Sequence, residues 1–145
     1  MYISDILEQK GHGVTTIVQT ESIHDAAKIL RERKFGSLVV RDQHGKLAGI
    51  ITERDIIRGI AEKGATALSY RVEDLMSTDL RVCKATDLVK DVMDMMSKRR
   101  IRHVPVVDDE GNLRGIISST DIVKFRLDER ASEVNVLRDI SRRKM

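Results

Sequence analysis

The chain has 145 residues, a formal net charge of +3 and a pI near 9.1, with 41% apolar and 34% charged residues, one proline and no tryptophan. That balance is too apolar for a disordered chain and too weakly basic for a nucleic-acid tail, and no apolar run approaches the roughly 20 residues of a bilayer span. The single cysteine, Cys83, excludes an internal disulfide and a multi-thiolate zinc site, and its setting reads as a small apolar strand residue.

In chain order, residues 1–13 read as a short helix, Ser4 to Lys10, and a lead-in; the opening MYISDILEQK lacks the basic-then-apolar order of a signal peptide, so the expected location is cytoplasmic. TTIVQ is a short strand. Ser22 then caps a helix whose apolar positions Ile23, Ala26, Ala27, Ile29 and Leu30 recur at helical spacing. SLVVRD and LAGIIT follow as a hairpin around the glycine turn QHGK, and a second helix starts at Glu53. After a linker, 64–79, the order returns: RVCK as a strand, Asp87 capping a helix with Val89, Val92, Met93 and Met96 inward, HVPVVDD and LRGIIS as a hairpin around DEGN, and a helix from Ser119. Residues 128–145 are expected to form a C-terminal helix; its apolar stripe runs along Leu127, Ala131, Val134, Leu137 and Ile140.

The second half is the first written again. A shift of 66 (121 − 55) lays Thr20 on Thr86, Asp25 on Asp91, Arg33 on Arg99, Val40 on Val106, Gly45 on Gly111 and Ile56 on Ile122 without a gap. The expectation is an α/β fold of two β-α-β-β-α repeats, 14–63 and 80–127, packed about a pseudo-twofold axis because neither half alone can bury both faces of its sheet.

The clearest repeated letters are GIITERD, 49–55, and GIISSTD, 115–121, which share a glycine, a hydroxyl and, three residues after the hydroxyl, an aspartate. One reading is a helix start in which Thr52 or Ser118 caps and Asp55 or Asp121 returns the bond as a capping box. The other is a ligand site. A carboxylate accepts from a vicinal diol, and the helix N-terminus with its hydroxyl suits a phosphate, which together describe a nucleotide.

With these motifs, and with RHVPVVD at 102–108, the span from Val14 to Leu127 resembles a tandem pair of CBS domains, the module named after cystathionine β-synthase, in a small stand-alone bacterial form. The resemblance implies a Bateman-type module with two clefts for adenine compounds: AMP, ADP, ATP or NAD(H), with S-adenosylmethionine less expected. Carried onto this sequence, one cleft combines Asp121, Ser118, Thr120, Arg102 and His103 with Lys10, Thr15, Thr16, Gly36 and Ser37. The other combines Asp55, Thr52, Arg54, Gly36 and Ser37 with Met76, Arg81 and Arg102. The Asp121 cleft is expected to be the richer in cations. Pro105, facing Val39 in the other copy, is expected to affect strand pairing more than ligand binding.

The resemblance also implies a homodimer, with the terminal stripe in the contact, and a regulator that signals through a partner protein. Catalysis is not expected: the four histidines, His12, His24, His44 and His103, share no metal-ligand spacing, and neither aspartate has a base or nucleophile at a recognisable step. Two alternatives stand. One is an empty CBS dimerisation scaffold. The other is a nucleic-acid-binding accessory protein using SKRRIRH and SRRKM, against which stands a chain with two tyrosines and two phenylalanines for stacking.

Overall fold

The structure, a computed structural model, describes residues 1–11 and 13–143, with side chains described up to residue 132. His12 and the stripe residues Val134, Leu137 and Ile140 therefore lie outside the described side chains.

The first unit is β1 (Thr16–Val18), α2 (Ile23–Arg33), β2 (Ser37–Arg41), β3 (Leu47–Thr52) and α3 (Glu53–Lys63). β1 pairs parallel with β2, and β2 antiparallel with β3 in the register Ser37↔Thr52 to Arg41↔Leu47. The second unit is α5 (Val89–Arg99), β4 (His103–Val107), β5 (Leu113–Ser118) and α6 (Ser119–Arg143), with β4 and β5 antiparallel from His103↔Ser118 to Val107↔Leu113. Both hairpins carry a register shift at the same step, Val40/Arg41 and Val106/Val107. The two hairpins thus match pair for pair at the offset of 66, and the predicted repeats are present.

Three local expectations are corrected. RVCK forms no strand: Cys83 makes one parallel bridge to Val106, with Cys83 N–H donating to Pro105 O at 3.0 Å and Val107 N–H to Cys83 O at 2.9 Å. In the first unit the next pairing back is Thr16↔Val39, which uses the N–H of Val39. Pro105 stands at that place and has no N–H, so the ladder stops after one bridge and Val82 stays exposed. Nor does Asp87 cap α5. Its carboxylate accepts from Lys84 N–H at 2.9 Å, and the N-cap position is Leu88; Ser22, by contrast, caps α2 by accepting from Asp25 N–H at 3.0 Å. Finally, the helix from Ser119 and the C-terminal helix are one continuous element, α6.

The segments set outside the repeats belong to them, crosswise. Helix α1 (Ile3–Lys10) precedes the first unit but places Ile3, Ile6 and Leu7 in the core of the second, with Cys83, Val89, Val104, Ile117 and Ile122. Within the linker, a 3-10 turn (Gly64–Ser69) leads to α4 (Val72–Leu75), whose Val72 is buried in the core of the first unit with Ile17, Ile23, Leu38 and Ile51. The two lead-ins match at an offset of 69 (71 − 2): Tyr2 N–H donates to Asp5 at 2.8 Å, and Arg71 N–H to Asp74 at 2.9 Å. Each lead-in then opens the helix of the unit it packs on, with Val89 N–H donating to Met1 O and Ile23 N–H to Tyr70 O. This exchange ties the halves together.

Candidate functional site

The motif glycines are set by this crossing. A Cβ on Gly49 would lie 2.7 Å from both Met76 Sδ and Ser77 O, and a Cβ on Gly115 would lie 2.8 Å from Leu7 Cδ2. Each glycine is where the crossing lead-in passes over the last strand of the hairpin, against the Ser77 backbone oxygen at Gly49 and against the end of the Leu7 side chain at Gly115.

Three residues on, the strand ends and the helix begins, and the hydroxyl and carboxylate form the capping box in both copies. Thr52 N–H donates to Asp55 Oδ2 at 2.9 Å and Asp55 N–H to Thr52 Oγ1 at 3.2 Å. Ser118 N–H donates to Asp121 Oδ2 at 2.9 Å and Asp121 N–H to Ser118 Oγ at 3.0 Å. The three-residue spacing is what this geometry requires.

Beyond the box the copies differ. Lys10, at the end of α1, donates from Nζ to Asp121 Oδ2 at 2.5 Å and to Ile116 O at 2.8 Å. The matching carbonyl in the first unit, Ile50 O, is met instead by backbone: Ser77 N–H donates to it at 2.9 Å, and Ile50 N–H donates to Ser77 O at 3.0 Å. The cause is length. α1 continues as a helix to Lys10, whereas α4 stops at Leu75 and the chain after it pairs with β3. Among the described residues Asp55 has only Arg58, 3.8 Å from Oδ1 and largely exposed.

Partial burial pushes the Asp121 carboxyl up, but the hydrogen bonds from Lys10 and from Ser118 N–H outweigh it and hold the pKa below the usual value. His103, opposite Ser118 at the start of β4, is half-buried; burial, with Lys10 and Arg102 nearby, lowers its pKa against the opposing pull of Asp121. Its neutral form is thereby favoured more than in a free imidazole.

The expected site residues thus fall into distinct groups. Lys10, Ser118, Asp121 and His103 come together. Asp121 and Lys10 also line a cleft of about 400 Å³ between α1 and α6, with Ile6, Lys124, Phe125 and Asp128. Around Asp55 the structure gathers Thr52, Gly36, whose carbonyl accepts from Glu53 N–H at 3.1 Å, Ser37, paired with Thr52, and Met76, lying on Gly49. Arg54 and Arg102 line one further cleft, of about 500 Å³, that contains neither motif acid. Thr16 Oγ1 accepts from Arg41 Nε at 3.2 Å. Thr15, Thr120 and Arg81 make no side-chain hydrogen bond among the described residues. Sequence reasoning missed Leu7 and Ser77 as partners of the motif strands; the offset of 69 between YISDIL and RVEDLM carries that signal.

Among the described residues no cluster of histidine, cysteine and carboxylate side chains could hold a metal ion, and no helix is long and apolar enough to cross a membrane.

Comparison with known proteins agrees with this architecture. The CBS domain family matches at residues 3–62 and 72–128, starting each repeat at its lead-in helix. The mitochondrial CBS domain-containing protein CBSX3 of Arabidopsis thaliana is 33% identical over 143 residues, covering 93% of this chain and 69% of that protein. Among solved structures, the CBS-domain containing protein ATU1752 from Agrobacterium tumefaciens superposes with a TM-score of 0.82 at 38% identity, covering 86% of this chain and 92% of that one. The CBS domain pair of protein MJ0100, solved in complex with 5'-methylthioadenosine and S-adenosyl-L-methionine, gives a TM-score of 0.78 at 33% identity, covering 89% and 98%. Other curated relatives are much longer: the chain spans 21% of an inosine-5'-monophosphate dehydrogenase from Nitrosopumilus maritimus. With both repeats matched and the whole fold shared, the chain belongs to the CBS domain family as a tandem pair.

Proposed function

We propose that the pair is a regulatory sensor, not an enzyme, that binds an adenine nucleotide or related adenosine compound and signals through a partner protein. The observation that carries this reading is the duplicated carboxylate at a helix N-terminus, Asp55 and Asp121, each with its backbone-facing oxygen fixed by a capping box and the other oxygen left for a ribose diol. A similar pair that binds methylthioadenosine and S-adenosylmethionine supports the adenosine class. AMP, ADP, ATP and NAD(H) share its ribose and adenine, and all are within the reading.

The two motifs are unequal sites. Asp121 has a cleft of about 400 Å³ at its side and Lys10 at 2.5 Å, whereas Asp55 has Arg58 at 3.8 Å. Lys10 shares Oδ2 with Ser118 N–H, so Oδ1 stays open to a ribose, and the ammonium beside it is placed to meet a phosphate of the ligand.

The pair acts as a homodimer in a cytoplasmic setting. Ile57 and Val123, equivalent at the 66-residue offset, are 65% and 58% exposed, and Leu127 is 61% exposed; an apolar helix face of this kind favours a twofold mate. A second reading has one specific support: the capping boxes already account for both acids, so an empty dimerisation scaffold would keep the same geometry. Calorimetry with adenosine, AMP and S-adenosylmethionine separates the two, since the scaffold binds none of them.

A further inference from the structure

We infer that the Asp121 cleft takes up a proton when it takes a phosphate, with His103 as the group that receives it, so that the pair reads pH together with nucleotide. The inference rests on the adenosine reading and adds a regulation to it. His103 and Ser118 face each other across the hairpin. Ser119 N–H donates to Arg102 O at 2.9 Å and Ser118 N–H turns to Asp121. His103 and Ser118 are therefore a non-hydrogen-bonded pair, in which the side chains share a face with Cβ atoms about 4.5–5.5 Å apart. The imidazole thus stands, half-buried, beside the hydroxyl that caps α6. The charged groups that act on it come from three elements: Lys10 from α1, Asp121 from α6 and Arg102 from the segment that leads into β4.

The balance of charge supplies the coupling. Lys10 and Arg102 against Asp121 leave one net positive charge around the ring, so the empty cleft resists a further cation; burial is the larger cause, and the two cations add to it. A phosphate monoester brings about two negative charges at pH 7.5. Set against that one positive charge, it leaves a negative charge unmatched, and a proton on His103 balances it. The imidazolium also donates from both ring nitrogens, so it can meet a phosphate oxygen in a charge-assisted bond. The duplication is an internal control. At the offset of 66 the first unit has Met76 for Lys10, Gly36 for Arg102 and Ser37 for His103, while the acid is kept as Asp55. The repeat therefore builds its motif without this set, and the proton-linked response belongs to the Asp121 cleft.

Titration calorimetry of the full chain carrying Asp55→Asn, which leaves the Asp121 cleft to be read, tests this with AMP and with adenosine. Each is titrated at pH 7.5 in two buffers of different ionisation enthalpy, and the difference in heat gives the protons taken up. We expect on the order of half a proton per AMP and none per adenosine. In Asp55→Asn/His103→Gln, whose fold is checked by its melt, the uptake with AMP should vanish. The tightening of AMP binding from pH 8 to pH 6.5, about fivefold with His103 present, should be lost with it. AMP that binds without proton uptake, uptake that persists in the His103 variant, or equal uptake with adenosine overturns the inference and leaves the adenosine reading standing. Binding of neither compound at any of these pH values overturns that reading, and this inference with it.

Discussion

Lys10 and Asp121, 111 positions apart, meet in a 2.5 Å ion pair that also engages the carbonyl of Ile116. The contact exists because the first lead-in helix crosses to the second unit and runs one turn further than its counterpart. Replacing Lys10 by Met removes the cation that most directly holds Asp121 ionised. The folded pKa of Asp121 lies below its ordinary value, so its contribution to stability is present above the unfolded carboxyl pKa and is lost as pH falls through the folded one. The melting temperature of the wild type should therefore exceed that of Lys10→Met at pH 6, by the equivalent of about 0.2–1 kcal/mol for a partly exposed pair, and the gap should narrow as pH falls below the ordinary carboxyl value of about 3.9. A gap that is constant with pH would mean that Lys10 acts through packing.

The same substitution bears on ligand binding. Without the ammonium, AMP should bind at the Asp121 cleft more weakly, by up to about fivefold, while adenosine, which has no phosphate, should change little. Calorimetry on Asp55→Asn with and without Lys10→Met reads this directly. AMP binding that is unchanged or tighter in the lysine variant would make Lys10 a partner of Asp121 alone.

The motif glycines should differ in their tolerance of alanine. At Gly49 the added methyl meets the backbone oxygen of Ser77, which is fixed by its own pairing to Ile50, whereas at Gly115 it meets the end of the Leu7 side chain. Urea unfolding should show Gly49→Ala destabilised by about 1–3 kcal/mol and Gly115→Ala by less. The reverse order would contradict the crossing as the origin of the motif glycine.

His103 sets a second pH dependence. Its folded pKa is below the ordinary imidazole value because of burial and the neighbouring cations, so the folded state binds this proton less readily than the unfolded chain. Stability should fall as pH drops from the unfolded value, about 6.5, through the lower folded one, and His103→Gln should flatten that limb of the profile. An NMR titration placing the His103 pKa above that of a free histidine would refute the assignment.

Much of this was legible in the sequence because it was written twice. The offset of 66 located both repeats, both hairpins and both motifs, and the Thr–Asp and Ser–Asp spacing carried the capping boxes. What was not legible depended on long-range geometry. RVCK has strand composition, but its pairing partner is a proline without an N–H. Asp87 has the letter of a cap, yet it turns back to Lys84. The lead-ins were set outside the repeats because their offset, 69, differs from that of the strands by the three extra residues before β1. Arg102, expected to meet a phosphate in the nucleotide clefts, lines a cleft together with Arg54, a pairing across the two units that spacing along the chain does not show.

Pro105 offers a test of that account of the strand. In Pro105→Val the restored N–H should let the segment before Cys83 pair, so the amide and carbonyl groups around Val82 gain a ladder. Hydrogen exchange at residues 81–83 should slow relative to the wild type. Unchanged exchange there would show that something other than the missing N–H ends the strand.

The central claim is that the repeated aspartates are ligand groups as well as helix caps. Asparagine keeps the acceptor oxygen of the capping box but loses the charge that favours a diol, so titration of adenosine and AMP into the wild type, Asp55→Asn, Asp121→Asn and the double variant tests it most directly. The account predicts measurable binding to the wild type, weakening of about tenfold or more at the substituted site, and loss at both sites in the double variant with the melt little changed. Binding that is absent from the wild type, or undiminished in the double variant, would contradict it.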